Sequence, residues 1–180
     1  MERDIVIAGY AGERGAICAA AARQEELRRR FRADYAAQLL QGAAPKSKEI
    51  LGRLRAASIA AEEYRVAGEG GVLAELYRMT RERRAGLRLW LKRIPLRQDT
   101  TELCELYGLN PYRLYSDCVI LVTESGMRLA EIVATMGIPA ACVGYLTDGL
   151  DKLIVDKEET EYLNRPEVDE LFKLVPDAIF

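Results

Sequence analysis

Three glycines within four residues, Gly68, Gly70 and Gly71, separate a short strand-like run from an apolar-periodic run in "VAGEGGVLAEL" (66–76). Glycine takes backbone angles closed to other residues and lets another chain, or a phosphate, come close. A glycine turn before a helix therefore has two readings. It is either an anion site made of exposed amides at a helix N-terminus, or a point of close backbone packing. Glu69 inside the turn disfavours an anion, and no Lys-Ser/Thr follows at the spacing of a P-loop.

The same punctuation recurs along the chain. "DIVIAGY" (4–10) reads as a strand, and Gly12 and Gly15 lead into the alanine-rich helix "AICAAAARQEELRRRF". Helix continues in pieces through "ADYAAQLLQG". Pro45 opens another, with Ile50, Leu51, Leu54, Ala57 and Ile59 on its apolar face. After a strand near 64–66, "GVLAELYRMTRERR" is helical and Gly86 stops it. "LRLWLKRI" alternates apolar and polar as a half-buried strand does. "DTTELCELYGL" is a helix with Asp99 or Thr100 as its N-cap and Gly108 as its stop. A buried strand at 118–123, an amphipathic helix closed by Gly137, a strand in "IPAACVGYLT", a strand–return pair from 150 to 163 and a last short helix from 165 complete the order. Strand–helix units mixed with hairpins predict an α+β fold, a mixed β-sheet with helices packed on it. The chain is expected to be a single domain, 1–180.

Composition narrows the chemistry. With no histidine, the commonest general base and every Ser-His or Cys-His pair are absent. Cys18, Cys104, Cys118 and Cys142 form no CxxC pair, so no metal site is expected, and they read as small residues in a reducing compartment. Glu102 and Glu105 share a helix face and could hold magnesium; a solvated first turn is the plainer reading. "GYAGERG" (9–15) misses the dinucleotide fingerprint. No apolar run nears the ~18 residues of a membrane span, and the acidic start does not suit a signal peptide. The expected location is the cytoplasm, with no membrane partner.

Residues 1–97 hold 20 Lys+Arg against 12 Asp+Glu, a balance of +8, and residues 98–180 hold 6 against 16, a balance of −10. The basic stretches are laced with acids and lack interleaved aromatics, so no nucleic-acid partner is expected. If the halves interleave in space, the asymmetry means little. If they stay apart, it favours head-to-tail or dimeric contact.

Gly70-Gly71, Ile94-Pro95, Cys104-Glu105, Gly108 and Asn110-Pro111, followed by "GIPAACVGYLTDG" (137–149), occur in an order that resembles the C-terminal domain of the aminoimidazole ribonucleotide (AIR) synthase-related superfamily. Hydrogenase-maturation enzymes, thiamine-monophosphate kinase and selenophosphate synthetase are its relatives. The resemblance covers nearly the whole chain. It implies an AIR synthase C-terminal-domain-like fold without the N-terminal domain that binds ATP and magnesium. The family turn Asp-x-Thr-x-Gly-Gly has Val66 and Gly68 in place of its Asp and Thr. The expectation is therefore a module that is non-catalytic by itself. It would bind a phosphate-bearing ligand through Gly68, Glu69, Gly70 and Gly71, with Asn110, Tyr112, Ser116 and Asp117 beside it in a cleft and Glu69 or Asp117 able to hold a cation. ATP and magnesium would come through a separate ATP-binding domain, or the chain would pair with itself. The alternatives are part of an ATP-dependent phosphoryl-transfer or hydrogenase-maturation-like enzyme, and a structural self-association module.

Overall fold

The computed structural model describes residues 3–157 and 159–180. Its strands are β1 (Arg3–Ala8), β2 (Glu63–Val66), β3 (Gly86–Leu89), β4 (Val119–Thr123), β5 (Ala140–Thr147), β6 (Lys152–Asp156) and β7 (Glu159–Tyr162). They form one seven-stranded sheet in the order β2-β4-β1-β5-β3-β6-β7. β3 and β6 pair in parallel and the other neighbours are antiparallel. The fold is α+β with a mixed sheet, as the order of elements predicts.

Alternation along β1 sets the layers. Ile5 and Ile7 point to one face and Val6 and Ala8 to the other. The first face packs against Val72, Leu73, Leu76 and Met79 of the helix α5 (Gly71–Arg83). The second packs against Ile50 and Leu54 of α4 (Ser47–Ala56), and Leu129, Ala130 and Val133 of α7 (Gly126–Thr135). A third cluster lies among the helices α1 (Glu13–Ala22), α2 (Gln24–Arg30) and α6 (Gln98–Tyr107). It joins Ala16, Ala19, Leu27, Leu103 and Cys104 to Leu114 and Leu171. A short helix α3 (Ala33–Gln38) leads from α2 towards α4.

Several local expectations shift. The alanine-rich helix breaks at Arg23 (φ −114), giving α1 and α2. α4 stops at Ala56, so Ile59 reaches its apolar neighbours from beyond the helix. Arg84, not Gly86, ends α5 in the left-handed conformation, and Gly86 begins β3. The strand expected through Ile94 ends at Leu89, because a 3-10 turn at Leu91–Arg93 carries Ile94 back into the core. Arg97 rather than Asp99 or Thr100 stands at the N-cap of α6. The last helix is a single 3-10 turn, Glu170–Lys173.

Candidate functional site

Gly70 and Gly71 have φ of 77 and 68, both left-handed. A Cβ on Gly71 would lie 2.5 Å from the Tyr112 carbonyl oxygen and 2.8 Å from that of Leu114. The turn is a close backbone crossing, and its amides are engaged. Gly71 N–H donates to the Gly68 oxygen at 3.0 Å, which also accepts from Ser116 N–H at 3.2 Å. Gly70 N–H donates at 2.6 Å to Oδ2 of Asp169, whose Oδ1 accepts from Leu171 N–H at 2.8 Å and Tyr115 N–H at 3.2 Å. Glu69 is exposed, and its carbonyl accepts from Arg78. The open phosphate cradle expected of Gly68, Glu69, Gly70 and Gly71 is thus closed, with the chain's own carboxylate where an external anion would sit. Asp169, 2% exposed, is the residue that sequence reasoning missed.

The expected cleft residues divide. Asn110 makes a local turn, its Oδ1 accepting from Tyr112 N–H at 3.0 Å, and its own N–H donates to Glu170. Tyr112 packs against the core under α5, and burial raises its phenol above the ordinary range. Ser116 is buried, with Oγ accepting from Gly12 N–H at 2.8 Å and donating to the Leu114 carbonyl. Ser116 is thus taken up inside the fold, while Asn110 and Tyr112 are partly exposed. Asp117 lines a cleft.

That cleft, of about 360 Å³, lies where β1 runs into α1. Gly12, between Tyr10 and Glu13 in the chain, has φ of 67, and a Cβ there would lie 2.5 Å from the Pro111 carbonyl oxygen. Tyr10, Glu13, Arg14, Lys46, Glu49 and Asp117 supply its polar groups over an apolar floor that includes Ile17 and Pro45. Glu13 is already paired, with Arg97 at 2.9 Å and with Ala43 N–H at 2.8 Å. Arg97 also holds Asp99 and, at 2.7 Å, the Gln41 carbonyl. Glu49 pairs with Arg53 at 2.5 Å. Arg14, Lys46 and Asp117 have no ion pair among the described residues. The cleft therefore holds two uncommitted cations and one uncommitted carboxylate.

A second recess of about 350 Å³ lies beyond Tyr10. In it the Tyr35 hydroxyl donates to Glu102, which also accepts from Gln98 Nε2 at 2.8 Å. Burial, with Glu102 beside it, raises the Tyr35 phenol. Asp99, expected in a solvated first turn, is 7% exposed and paired with Arg97. All four cysteines are free thiols. Burial, with Glu170 nearby, pushes Cys104 up to about 12. Burial likewise pushes Cys118 up to about 12.

The fold matches solved structures over nearly its full length. HypE in a HypE–HypF complex superposes with a TM-score of 0.71 at 20% identity, covering 91% of this chain and 53% of that one. This is the fold of the AIR synthase-related proteins. The hydrogenase maturation protein HypE in complex with ATP gives 0.68 at 16% identity, over 94% of this chain and 52% of that one. Thiamine monophosphate kinase from Aquifex aeolicus gives 0.55 at 15%, over 87% and 51%. The chain spans about half the length of these structures, consistent with the C-terminal domain its motifs resemble. No protein-family profile matches the sequence, and no curated protein matches it. Among the described residues no helix is long and apolar enough to cross a membrane.

Proposed function

We propose that the chain is a C-terminal-type module of the AIR synthase-related fold that holds a phosphate-bearing small ligand in the Tyr10–Asp117 cleft. It works beside an ATP-binding partner domain and has no turnover alone. The observation that carries the reading is that Arg14, Lys46 and Asp117, none in an ion pair among the described residues, line one cleft of about 360 Å³. A guanidinium and an ammonium in one cleft suit a phosphate dianion. A carboxylate in the same cleft suits the hydroxyl or amine of the same ligand, or a magnesium ion that the phosphate also ligates. The anion is placed here rather than at Gly68–Gly71 because Asp169 fills that turn.

The partner reading draws on the neighbours. One HypE structure contains ATP, another pairs HypE with HypF, and this chain has half their length. ATP and magnesium would reach it through that separate domain. Calorimetric titration of the purified protein with inorganic phosphate, AMP and ATP plus magnesium tests both parts. Saturable phosphate heat is expected, reduced about tenfold or more in affinity by Lys46→Ala or Arg14→Ala, and unchanged by a substitution of exposed Glu69. Heat that survives both cleft substitutions would remove the site. ATP hydrolysis by the pure protein would favour the enzyme alternative instead.

A further inference from the structure

The Tyr10–Asp117 cleft draws its lining from separate parts of the chain. Tyr10, Glu13, Arg14 and Ile17 lie at and after the end of β1, whereas Gly42, Ala44, Pro45 and Lys46 lie in the segment between α3 and α4. That segment belongs to no helix or strand. Among the described residues, two hydrogen bonds tie residues 41–45 to distant parts of the chain. Ala43 N–H donates to Glu13 Oε1 at 2.8 Å, and the Gln41 carbonyl accepts from Arg97 at 2.7 Å. Both run to one ion pair, because the same Arg97 nitrogen also donates to Glu13 Oε1 at 2.9 Å. The other terminal nitrogen of Arg97 holds Asp99. Arg97 does not line the cleft. It lines the recess beyond Tyr10 and meets Glu13 from that side. The Arg97 and Glu13 side chains are 13% and 12% exposed, so salt screens the pair far less than a surface pair.

We infer that Arg97 is the positioning residue of this cleft. From outside the lining it cancels the Glu13 charge and fastens the segment that carries Lys46. Three carboxylates line the cleft, Glu13, Glu49 and Asp117. Glu13 is neutralised by Arg97 and Glu49 by Arg53, so Arg14 and Lys46 prevail over Asp117. Without Arg97, the Glu13 charge would repel any anion that those two cations attract. The fastening needs an arginine. One planar guanidinium serves Glu13, Gln41 and Asp99 in a fixed fork, which a lysine ammonium does not reproduce although it keeps the charge. The effect on a ligand rests on the proposed phosphate site, and the fastening of the segment does not. The two halves of the pair therefore act on phosphate with opposite sign. Losing Arg97 weakens its binding. Losing the Glu13 charge strengthens it, because a glutamine there still accepts from Ala43 N–H while the Arg97 cation remains.

Titration of the intact chain with inorganic phosphate, paired with amide hydrogen exchange by NMR, tests this. Arg97→Gln should bind phosphate about tenfold more weakly and Glu13→Gln about threefold more tightly than the wild type. Arg97→Lys should bind better than Arg97→Gln, and it serves in comparison with the wild type if the glutamine variant fails to fold. In both Arg97 variants the Ala43 amide should exchange about tenfold faster, with the amides of β1 and β4 still protected. Weaker phosphate binding by Glu13→Gln overturns the inference, since a merely structural pair would lose affinity from either side. Wild-type affinity in Arg97→Gln overturns it too, as does unchanged Ala43 exchange in the Arg97 variants. If the wild type binds no phosphate, the proposed function fails and exchange alone decides. Faster exchange at Ala43 then keeps Arg97 as the fastener of the segment, and unchanged exchange removes it.

Discussion

Asp169 gathers three backbone amides from distant parts of the chain onto one carboxylate. Its carboxylate accepts N–H groups from Gly70, Tyr115 and Leu171 and so ties the N-terminus of α5, the segment before β4 and the C-terminal turn. Hydrogen bonds to a charged acceptor contribute about 1.5–3 kcal/mol each at most, and orphaned buried donors cost more than the bonds are worth. Replacing Asp169 by Ala removes all three acceptors at a site that is 2% exposed. The expected loss is about 2–4 kcal/mol in urea unfolding, and Asp169→Asn should lose about half as much by keeping one acceptor oxygen. Equal stability of the alanine variant would mean that water replaces the carboxylate and that the turn can open. Gly71 is bound to the same place by geometry, since its φ of 68 and the Tyr112 carbonyl leave no room for a Cβ.

At the scale of elements, β2 is fastened to α5 by charge. Arg65 on β2 pairs with Glu63, with Glu75 at 3.1 Å and with Glu82 at 2.5 Å, and Arg83 pairs with Glu62 and Glu63. Hydrogen bonds from Arg83 and Arg3 hold Glu62 below the ordinary 4.5, and those from Arg65 do the same for Glu82. For Glu63 burial pulls upward, but Arg65 and Arg83 together outweigh it. Depressed carboxylates bind fewer protons folded than unfolded below the unfolded value. Their contribution is thus complete above about 4.5 and is lost as pH falls through the folded values. Arg65→Ala should cost about 1–2 kcal/mol near neutral pH, less in high salt, and much less near pH 3. An unchanged cost at low pH would mean that Arg65 acts through packing of its stem.

How far the elements were legible follows from which signals are local. β1, β4, α5 and α7 carry their own apolar runs, and the sequence places each within a few residues of the observed bounds. The break at Arg23 has no glycine or proline to mark it. "LRLWLKRI" alternates beyond the point where the chain leaves the sheet, because Leu91 and Ile94 stay apolar to reach the core from a turn. The glycine turn was legible as a turn, and its packing role was one of two open readings. The choice between them lies in Asp169, 99 residues away, where no local pattern points. Asp117 was a candidate in the sequence, but Arg14 and Lys46, which line the same cleft, sit on separate elements that only the fold brings together.

In the whole molecule the halves interleave, and that disposes of the charge asymmetry. In the order β2-β4-β1-β5-β3-β6-β7, strands from before and after residue 97 alternate through the first five places. β1, inside the sheet, is hydrogen-bonded on both sides by strands of the second half, β4 and β5. β2 and β3 likewise find their neighbours only there. A basic and an acidic half wound into one sheet place opposite charges side by side, so the asymmetry in sequence does not imply opposed poles in space. It follows that residues 1–97 cannot form a sheet by themselves, and that residues 98–180 keep only the β6–β7 pairing. Residues 1–97 would contribute three strands with no mutual pairing, and a strand without neighbours leaves its amides and carbonyls unsatisfied. Expressed separately, 1–97 and 98–180 should each lack the amide dispersion of a folded domain in two-dimensional NMR. Mixed together, they should recover it in a one-to-one complex, since every pairing of β1, β2 and β3 crosses the cut. A dispersed spectrum from 1–97 alone would mean that its helices reach a stable packing without the sheet and without the α6, Leu114 and Leu171 contacts of the third cluster.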